Sequence, residues 1–325
     1  SMQKINVAVI CGGFTAEQNI SLLSGDVVYK NLDPDKFNPY KVVISKNEWR
    51  VEPFNTAINL HNFTFIMGAE TIQLHAAFIA VHGSPGEDGC LQGYFDMKGI
   101  PYTNCGVFAS AVTFNKFFCK EALRQLQIPM AKGILVRKNA DLNSSLKEIH
   151  QLQLPVFVKP NNNGSSYGVS KIADAAQMET ALLHAFEFDQ EVLIEEGVQG
   201  VEVTCGVYSH KGKIISLPIC EVVSGSHDFF DYTAKYTAGE SDEIIPARIP
   251  EEIASTVARY SEMIYTYLGC KGVIRIDYIL QEEKPYFLEV NTVPGLSESS
   301  IIPKMVQAAG MRLSDFLSIL IAESL

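Results

Sequence analysis

Apolar residues fall into strand-length blocks alternating with stretches of helical spacing. Ile5-Asn6-Val7-Ala8-Val9-Ile10-Cys11 reads as a buried strand, and Gly12-Gly13 turns it into a helix on which Ile20, Leu23 and Val27 recur. Thr15 and Gln18 stand at capping-box spacing, which predicts the helix start there, with Glu17 in its acid-tolerant first turn. A second buried strand over 76–81 runs into His82-Gly83-Ser84-Pro85-Gly86-Glu87-Asp88-Gly89, a loop whose glycines and proline demand tight turns. Loops at the carboxyl ends of strands are where open α/β sheets bind ligands. Tyr102-Thr103-Asn104 closes this first lobe.

Helical periodicity over 114–126, carrying Lys116, stops at Pro129. The spacing then predicts a strand over 133–136, a helix over 146–152, a strand over 155–160, a helix over 175–186 and an apolar strand over 191–198 that ends in acids. Between two of these strands, Asn161-Asn162-Asn163-Gly164-Ser165-Ser166-Tyr167-Gly168-Val169 reads either as a cover for phosphates or as a plain hairpin turn. It is not a Walker loop, since no Lys-Ser or Lys-Thr follows a fitting glycine spacing. Strands over 201–207 and 213–220 flank His210-Lys211-Gly212, and the polar stretch 224–242 has the length of a lid. An amphipathic helix over 251–268 buries Ile253, Val257, Ile264 and Leu268.

The densest chemistry lies in the next hairpin. Arg275-Ile276-Asp277-Tyr278-Ile279-Leu280 and Tyr286-Phe287-Leu288-Glu289-Val290-Asn291 flank the turn Gln281-Glu282-Glu283-Lys284. Glu289 and Asn291 are two residues apart and share a strand face that Asp277 can reach from the partner strand. Oxygen donors of this kind suit magnesium with substrate phosphates; a solvated sheet face is the plainer reading of any one of them alone. Convergence beside Arg275 and Pro294-Gly295 favours the metal-phosphate site.

Composition narrows the class. A chain of 325 residues, 47% hydrophobic, can bury a large core in more than one domain. No apolar run approaches the roughly 20 residues of a membrane span, and Phe316 to Ile321 read as one face of a C-terminal helix. Ile5 to Cys11 is too short for a signal peptide, and Ser1 before Met2 reads as a tag-cleavage scar. The 7 cysteines lack a C-x-x-C pair, so reduced thiols and a cytoplasmic location are expected and a structural zinc is not. The net charge of −11 disfavours nucleic acid and anionic membrane as partners but leaves room for a nucleotide.

In order along the chain, Gly12-Gly13 to Gly25 with Glu17 and Ser21, the 82–89 loop, Lys116, Lys159, Gly164-Ser165-Ser166, Glu195-Glu196, Lys235-Tyr236, Arg275-Ile276-Asp277, Glu289-Val290-Asn291-Thr292 and Pro294-Gly295 closely resemble the ATP-grasp ligases, within them the D-alanine:D-alanine ligase family. The resemblance implies an α/β (α+β) fold, with an N-terminal open-sheet lobe over 1–112 and two ATP-grasp lobes, 113–198 and 199–325, clamping ATP under a lid at 224–242. By position, Lys116 and Lys159 would hold the α- and β-phosphates with Ser165 and Ser166, Glu195, Glu196 and Val198 would meet adenine, Glu202 the ribose, and Lys235 the γ-phosphate. Asp277, Glu289 and Asn291 match the ligands of magnesium, two ions for which manganese would substitute. Glu17 and His82 would bind the first D-alanine, Arg275 and the Gly295 N–H the oxyanion, and Ser300 and Ile301 the second D-alanine. Tyr236 would join Glu17 and Ser165 in a hydrogen-bonded set over that pocket, and a homodimer is implied. Gly197 and Phe230 depart from the family pattern, where a bulky residue and a tyrosine are common.

The rivals are a D-alanine:D-lactate or other mixed ligase, a nucleotide-binding relative without catalysis, and a dehydrogenase. The second would lack a lysine or metal ligand, and none is missing; the third would need G-x-G-x-x-G, which is absent.

Overall fold

Strand β1 (Ile5–Gly12) is the axis of the first sheet, and Val7 to Cys11 are fully buried because neighbours cover both faces. The structure, a computed structural model, describes residues 3–162, 167–224 and 241–325. Helix α1 (Gln18–Asn31) returns the chain to β2 (Phe37–Ile44), parallel to β1; antiparallel β3 (Trp49–Glu52) and β4 (Thr56–Ala57) extend that edge, and β7 (Ala76–Ile79) is parallel to β1 on the other side. The order is β4-β3-β2-β1-β7. A small hairpin, β5 (Thr64–Met67) with β6 (Glu70–Gln73), stands apart. The expected helix start is corrected in detail: Glu17 itself precedes the helix, no side chain caps it, and Thr15 Oγ1 instead accepts the Glu17 N–H at 3.2 Å.

Helices α2 (Cys90–Lys98) and α3 (Val107–Phe114) follow. The helix expected over 114–126 starts two residues later: α3 ends at Phe114, the helical run breaks at Asn115, which is extended and whose side chain accepts the Phe118 N–H at 3.0 Å to start α4 (Lys116–Leu123), and a 3-10 turn over Arg124–Leu126 completes it. Asparagine is a favoured first-turn cap, so the break has a local cause that apolar periodicity hides.

The second sheet contains β8 (Gly133–Arg137), β9 (Val156–Pro160), β10 (Ser170–Ile172) and β11 (Glu191–Glu196), all antiparallel in the order β10-β9-β11-β8. Helices α5 (Leu142–Ile149) and α6 (Met178–Ala185) bury Ile149, Met178 and Leu182 against Val156, Val158, Val192 and Ile194. Period-2 alternation turns Lys159 and Glu195 to the opposite face.

The third sheet contains β12 (Val201–His210), β13 (Lys213–Ser216), β14 (Cys220–Ser224), β15 (Ser241–Ile244), β16 (Ile274–Gln281) and β17 (Lys284–Asn291), in the order β15-β14-β12-β16-β17 with β13 also on β12. The strand expected over 213–220 is two strands, separated by Leu217, Pro218 and Ile219, of which Pro218 has no N–H to donate. At the β16–β17 turn Glu282 and Glu283 have φ 51° and 66°, the left-handed pair that a two-residue hairpin needs to match strand twist. Helix α7 (Glu251–Tyr267) covers one face with Val257 and Ile264 against Ile276 and Tyr278. Helices α8 (Ile301–Ala308) and α9 (Leu313–Ser324) fill the space between this sheet and the first, joining Val7, Val9 and Phe78 to Tyr208, Ile302, Met305 and Phe316 in one core. Among the described residues no single helix is long and apolar enough to cross a membrane, and the α8–α9 pair is bent by 104°. All 7 cysteines are free.

Gly272 locks the third sheet to the first. Its φ is +66°, and a Cβ there would lie 2.1 Å from the Thr103 carbonyl oxygen; Gly269, at φ +64°, has nothing within 4 Å. Gly269→Ala should therefore cost about 1–2 kcal/mol, the left-handed penalty alone, and Gly272→Ala clearly more, as read from urea unfolding. Equal losses would show that the Thr103 contact yields freely.

Candidate active site

The β16–β17 register brings Arg275 opposite Asn291 and Asp277 opposite Glu289, and β12 sets Thr204 opposite Asp277. Asp277 and Arg275 are both buried. The guanidinium donates to both Asp277 oxygens, Nε at 3.1 Å and Nη2 at 3.2 Å, and Thr204 Oγ1 donates to Oδ1 at 2.7 Å. Asn291 Oδ1 accepts the Val293 N–H at 3.1 Å. Two carboxylates and an amide thus stand on one sheet face, as the alternation predicted. Among the described residues no three His, Cys, Asp or Glu side chains form a metal cluster by themselves.

Facing them is the lysine side of the second sheet. Lys116 opens α4 and its Nζ lies 3.8 Å from Glu289 Oε2. Lys159 Nζ donates to Glu195 Oε1 at 2.8 Å. Burial alone would lower the Lys159 pKa, but Glu195, Glu289 and Glu202 together raise it above its ordinary value. The 3.8 Å approach of Lys116 to Glu289 and the bond from the Phe287 N–H to the Pro129 carbonyl at 2.8 Å bring the two sheets onto one cleft.

Glu195 also pairs with Lys120, which donates to Oε2 and, at 2.6 Å, to the Ala131 carbonyl. Burial pushes the Glu195 pKa up; the Lys159 and Lys120 ammonium groups outweigh it and bring it to about 2. Lys120 escaped the sequence reading. One turn beyond Lys116, it shares that helix face, which is the signal that could have marked it. Asn161 was read only as part of a loop, yet it is fully buried, its Oδ1 accepts the Phe117 N–H at 2.8 Å and its carbonyl the Lys116 N–H at 3.1 Å. It therefore fixes the start of α4 against the end of β9. Glu196 turns away, accepting the Gln153 N–H at 2.6 Å, while Val198 and Glu202 are half-buried at the cleft end of β11 and the start of β12. Gly197 has a steric reason: its N–H bonds the Pro155 carbonyl at 2.8 Å, and a Cβ would lie 3.1 Å from that same oxygen.

The third wall comes from the first sheet. Glu17 is 2% exposed, so it is no ordinary solvated helix acid, and a Cβ on Gly83 would lie 3.4 Å from its Oε1. The neighbouring His82 is equally buried, with Nδ1 2.8 Å from the Val293 carbonyl and Nε2 2.9 Å from Ser24 Oγ. Gly295 is followed closely by Ser300, whose Oγ would lie 2.7 Å from a Cβ on Gly295 and accepts the Ser297 N–H at 3.0 Å; Ile301 is buried just behind. Ser165, Ser166, Phe230, Lys235, Tyr236 and the body of the expected lid lie outside the described residues. Its flanks are paired strands, Ser224 opposite Ser241.

Lys159 on one antiparallel sheet and Lys116 at the start of the adjoining α4, facing carboxylates and an amide on another sheet across a shared cleft, define the ATP-grasp ligase class. Residues 6–105 match the family model described as D-ala D-ala ligase N-terminus, and residues 122–322 the model described as D-ala D-ala ligase C-terminus. A D-alanine–D-alanine ligase of Azobacteroides pseudotrichonymphae is 43% identical over 317 residues, covering 96% of this chain and 98% of the relative. Among solved structures, the VanG D-Ala:D-Ser ligase from Enterococcus faecalis superposes with TM-score 0.87 at 31% identity, covering 99% of this chain and 100% of that one. A Bacillus anthracis D-alanine–D-alanine ligase complexed with ATP gives TM-score 0.79 at 32% identity, with 99% and 97% covered. The chain belongs to the D-alanine–D-alanine ligase family.

Lys120→Met keeps the stem and removes the charge from Glu195. The folded Glu195 pKa lies below its ordinary 4.5, so its contribution to stability is full above that value and is lost as pH falls toward about 2. At pH 7 the variant should be about 3–5 kcal/mol less stable in denaturant titrations, the cost of breaking a buried pair, and the gap to wild type should narrow on acidification through that window. A gap that is small at pH 7 would mean Lys159 alone holds Glu195 ionised.

Proposed function

We infer that this chain is an ADP-forming ligase that joins two D-alanine molecules into D-alanyl-D-alanine for peptidoglycan precursor synthesis, using ATP. The observation that carries the reading is the cleft in which Lys116 and Lys159 face Asp277, Glu289 and Asn291. A carboxylate oxygen of the first D-alanine attacks the γ-phosphorus of ATP and ADP leaves. The neutral amine of the second D-alanine then attacks the acyl carbon of the acyl phosphate, a proton is lost, and phosphate leaves. Such chemistry rests on positioning and charge neutralisation.

In this reading Lys116 and Lys159 hold the α- and β-phosphates, Glu195 and Val198 meet the adenine and Glu202 the ribose. Glu196 contributes backbone only, since its carboxylate is engaged by Gln153. Asp277, Glu289 and Asn291 are hard oxygen donors on a rigid hairpin and fit magnesium, two ions with manganese as a substitute, the nucleotide phosphates completing the shell. Bound there, the metal would neutralise phosphate charge. Glu17 binds the ammonium of the first D-alanine, with His82 behind it. Arg275, already oriented by Asp277, and the Gly295 N–H receive the oxyanion. Ser300 and Ile301 line the place of the second D-alanine. Roles for Ser165, Ser166, Lys235 and Tyr236 rest on the family resemblance, as does the homodimer; the cytoplasmic location rests also on the cysteine pattern.

The reading predicts ADP release that depends on D-alanine and yields D-alanyl-D-alanine. Offering D-alanine with D-serine or D-lactate in competition checks the second substrate, and a mainly mixed product near neutral pH would assign the chain to that rival. Carboxyl-¹⁸O D-alanine should pass label into phosphate, and unlabelled phosphate would remove the acyl-phosphate route.

Glu289→Gln should shift the magnesium dependence of turnover upward by at least tenfold. An unchanged dependence would reduce Glu289 to a partner of Lys116.

A further inference from the structure

The segment that carries the Gly295 N–H is held from outside its own lobe. Val293 donates its N–H to Asn291 Oδ1 at 3.1 Å, and its carbonyl accepts from His82 Nδ1 at 2.8 Å. Leu296 donates its N–H to Ser24 Oγ at 3.1 Å. Ser24 and His82 meet each other at 2.9 Å, Oγ to Nε2, and are 0% and 2% exposed. A carbonyl oxygen only accepts, so Nδ1 of His82 carries the proton; in the neutral ring Nε2 then accepts from the Ser24 hydroxyl, whose oxygen still accepts from Leu296.

These bonds bracket residues 294 and 295. Pro294 has no N–H and a fixed φ, so the one N–H between the two pinned points is that of Gly295. Ser24 lies in α1 and His82 just after β7, and both are therefore fixed by the core of the first sheet through Val28 and Phe78. We propose that Ser24, with His82, is a positioning residue that sets the Gly295 N–H at the oxyanion, so that the lobe holding the first substrate also sets the geometry of the second chemical step. The proposal rests on the reading of Gly295 given above. Ser24 touches neither substrate nor phosphate in it and acts only through Leu296 and His82.

An oxyanion donor is most needed where charge develops, in attack of the amine on the acyl phosphate, and less for phosphoryl transfer, which the lysines support. The half-reactions can be separated. ATP labelled with ¹⁸O in the β,γ-bridge scrambles its label whenever acyl phosphate forms reversibly, whether or not dipeptide follows. Ser24→Ala should lower kcat for dipeptide by about ten- to a hundredfold, a part of the loss seen when such a donor is removed outright. KM for ATP should stay near wild type, and the ratio of label scrambling to turnover should rise by a similar factor. Ser24→Thr keeps the hydroxyl and should restore the ratio. In the same Ser24→Ala protein, amide hydrogen exchange at Leu296 should speed up while Val7 to Cys11 stay protected, which shows an intact first sheet.

An unchanged scrambling-to-turnover ratio overturns the proposal, whether turnover holds or falls, since a general loss of structure would weaken both half-reactions together. Unchanged exchange at Leu296 overturns it as well. A wild-type chain without D-alanine-dependent ADP release would instead remove the proposed function, and Leu296 exchange would still decide whether Ser24 pins the segment.

Discussion

The register of β16 against β17 is the constraint on which the rest of the site depends. Side chains alternate along a strand, so a slip of one residue would send Glu289 and Asn291 to the α7 side and bring Val290 into the cleft. Two features hold the register. The turn at Glu282 and Glu283 permits one hairpin geometry, and the apolar members Ile276, Tyr278, Phe287 and Val290 are committed to the core under α7. The irregularity between Asp277 and Tyr278 allows both demands to be met: it lets Tyr278 pair with Phe287 in the core while Asp277 still pairs with Glu289 in the cleft.

Charge placement in the cleft follows from burial. A buried lysine or carboxylate is tolerated only with a partner. Asp277 pairs with Arg275 and Thr204 on its own sheet, and Glu195 with Lys120 and Lys159 on its own side of the cleft. Between these two walls Lys116 reaches Glu289 over a longer distance, 3.8 Å. Tight pairs thus build each sheet, and looser ones face the space where a nucleotide would lie.

How much of this was legible depended on the range of the interaction. The hairpin could be read because its evidence is local: alternation, a polar turn and oxygen donors two residues apart. The strands β2 to β6 were not: β3 to β6 are only two to four residues long, too short for alternation to show, and Phe63 beside β5 is buried against Phe95 of α2, a contact no periodicity announces. Asn115 hid a helix break inside an unbroken apolar period. Lys120 shares a helix face with Lys116 in the sequence, but its partner Glu195 lies 75 residues away and only the fold closes the pair. Ser24 is harder still, since its partner Leu296 lies 272 residues away and a serine in a helix carries no chemical signature. The family resemblance named the residues that would touch substrate; it left unnamed the ones that hold those residues in place.

The pairing of Glu195 with two lysines bears on how a nucleotide would enter. Phosphate is a stronger partner for Lys159 than a carboxylate already shared with a second cation, so the ammonium can be drawn toward the phosphates without leaving Glu195 unpaired. Lys120 stays, anchored by the Ala131 carbonyl, and keeps the carboxylate charged. In the proposed reading, the Oε1 atom that Lys159 would give up becomes an acceptor for the adenine amino group. One buried carboxylate can in this way serve the empty and the filled cleft, and the cost of stranding a charge, which would otherwise oppose binding by several kcal/mol, does not arise.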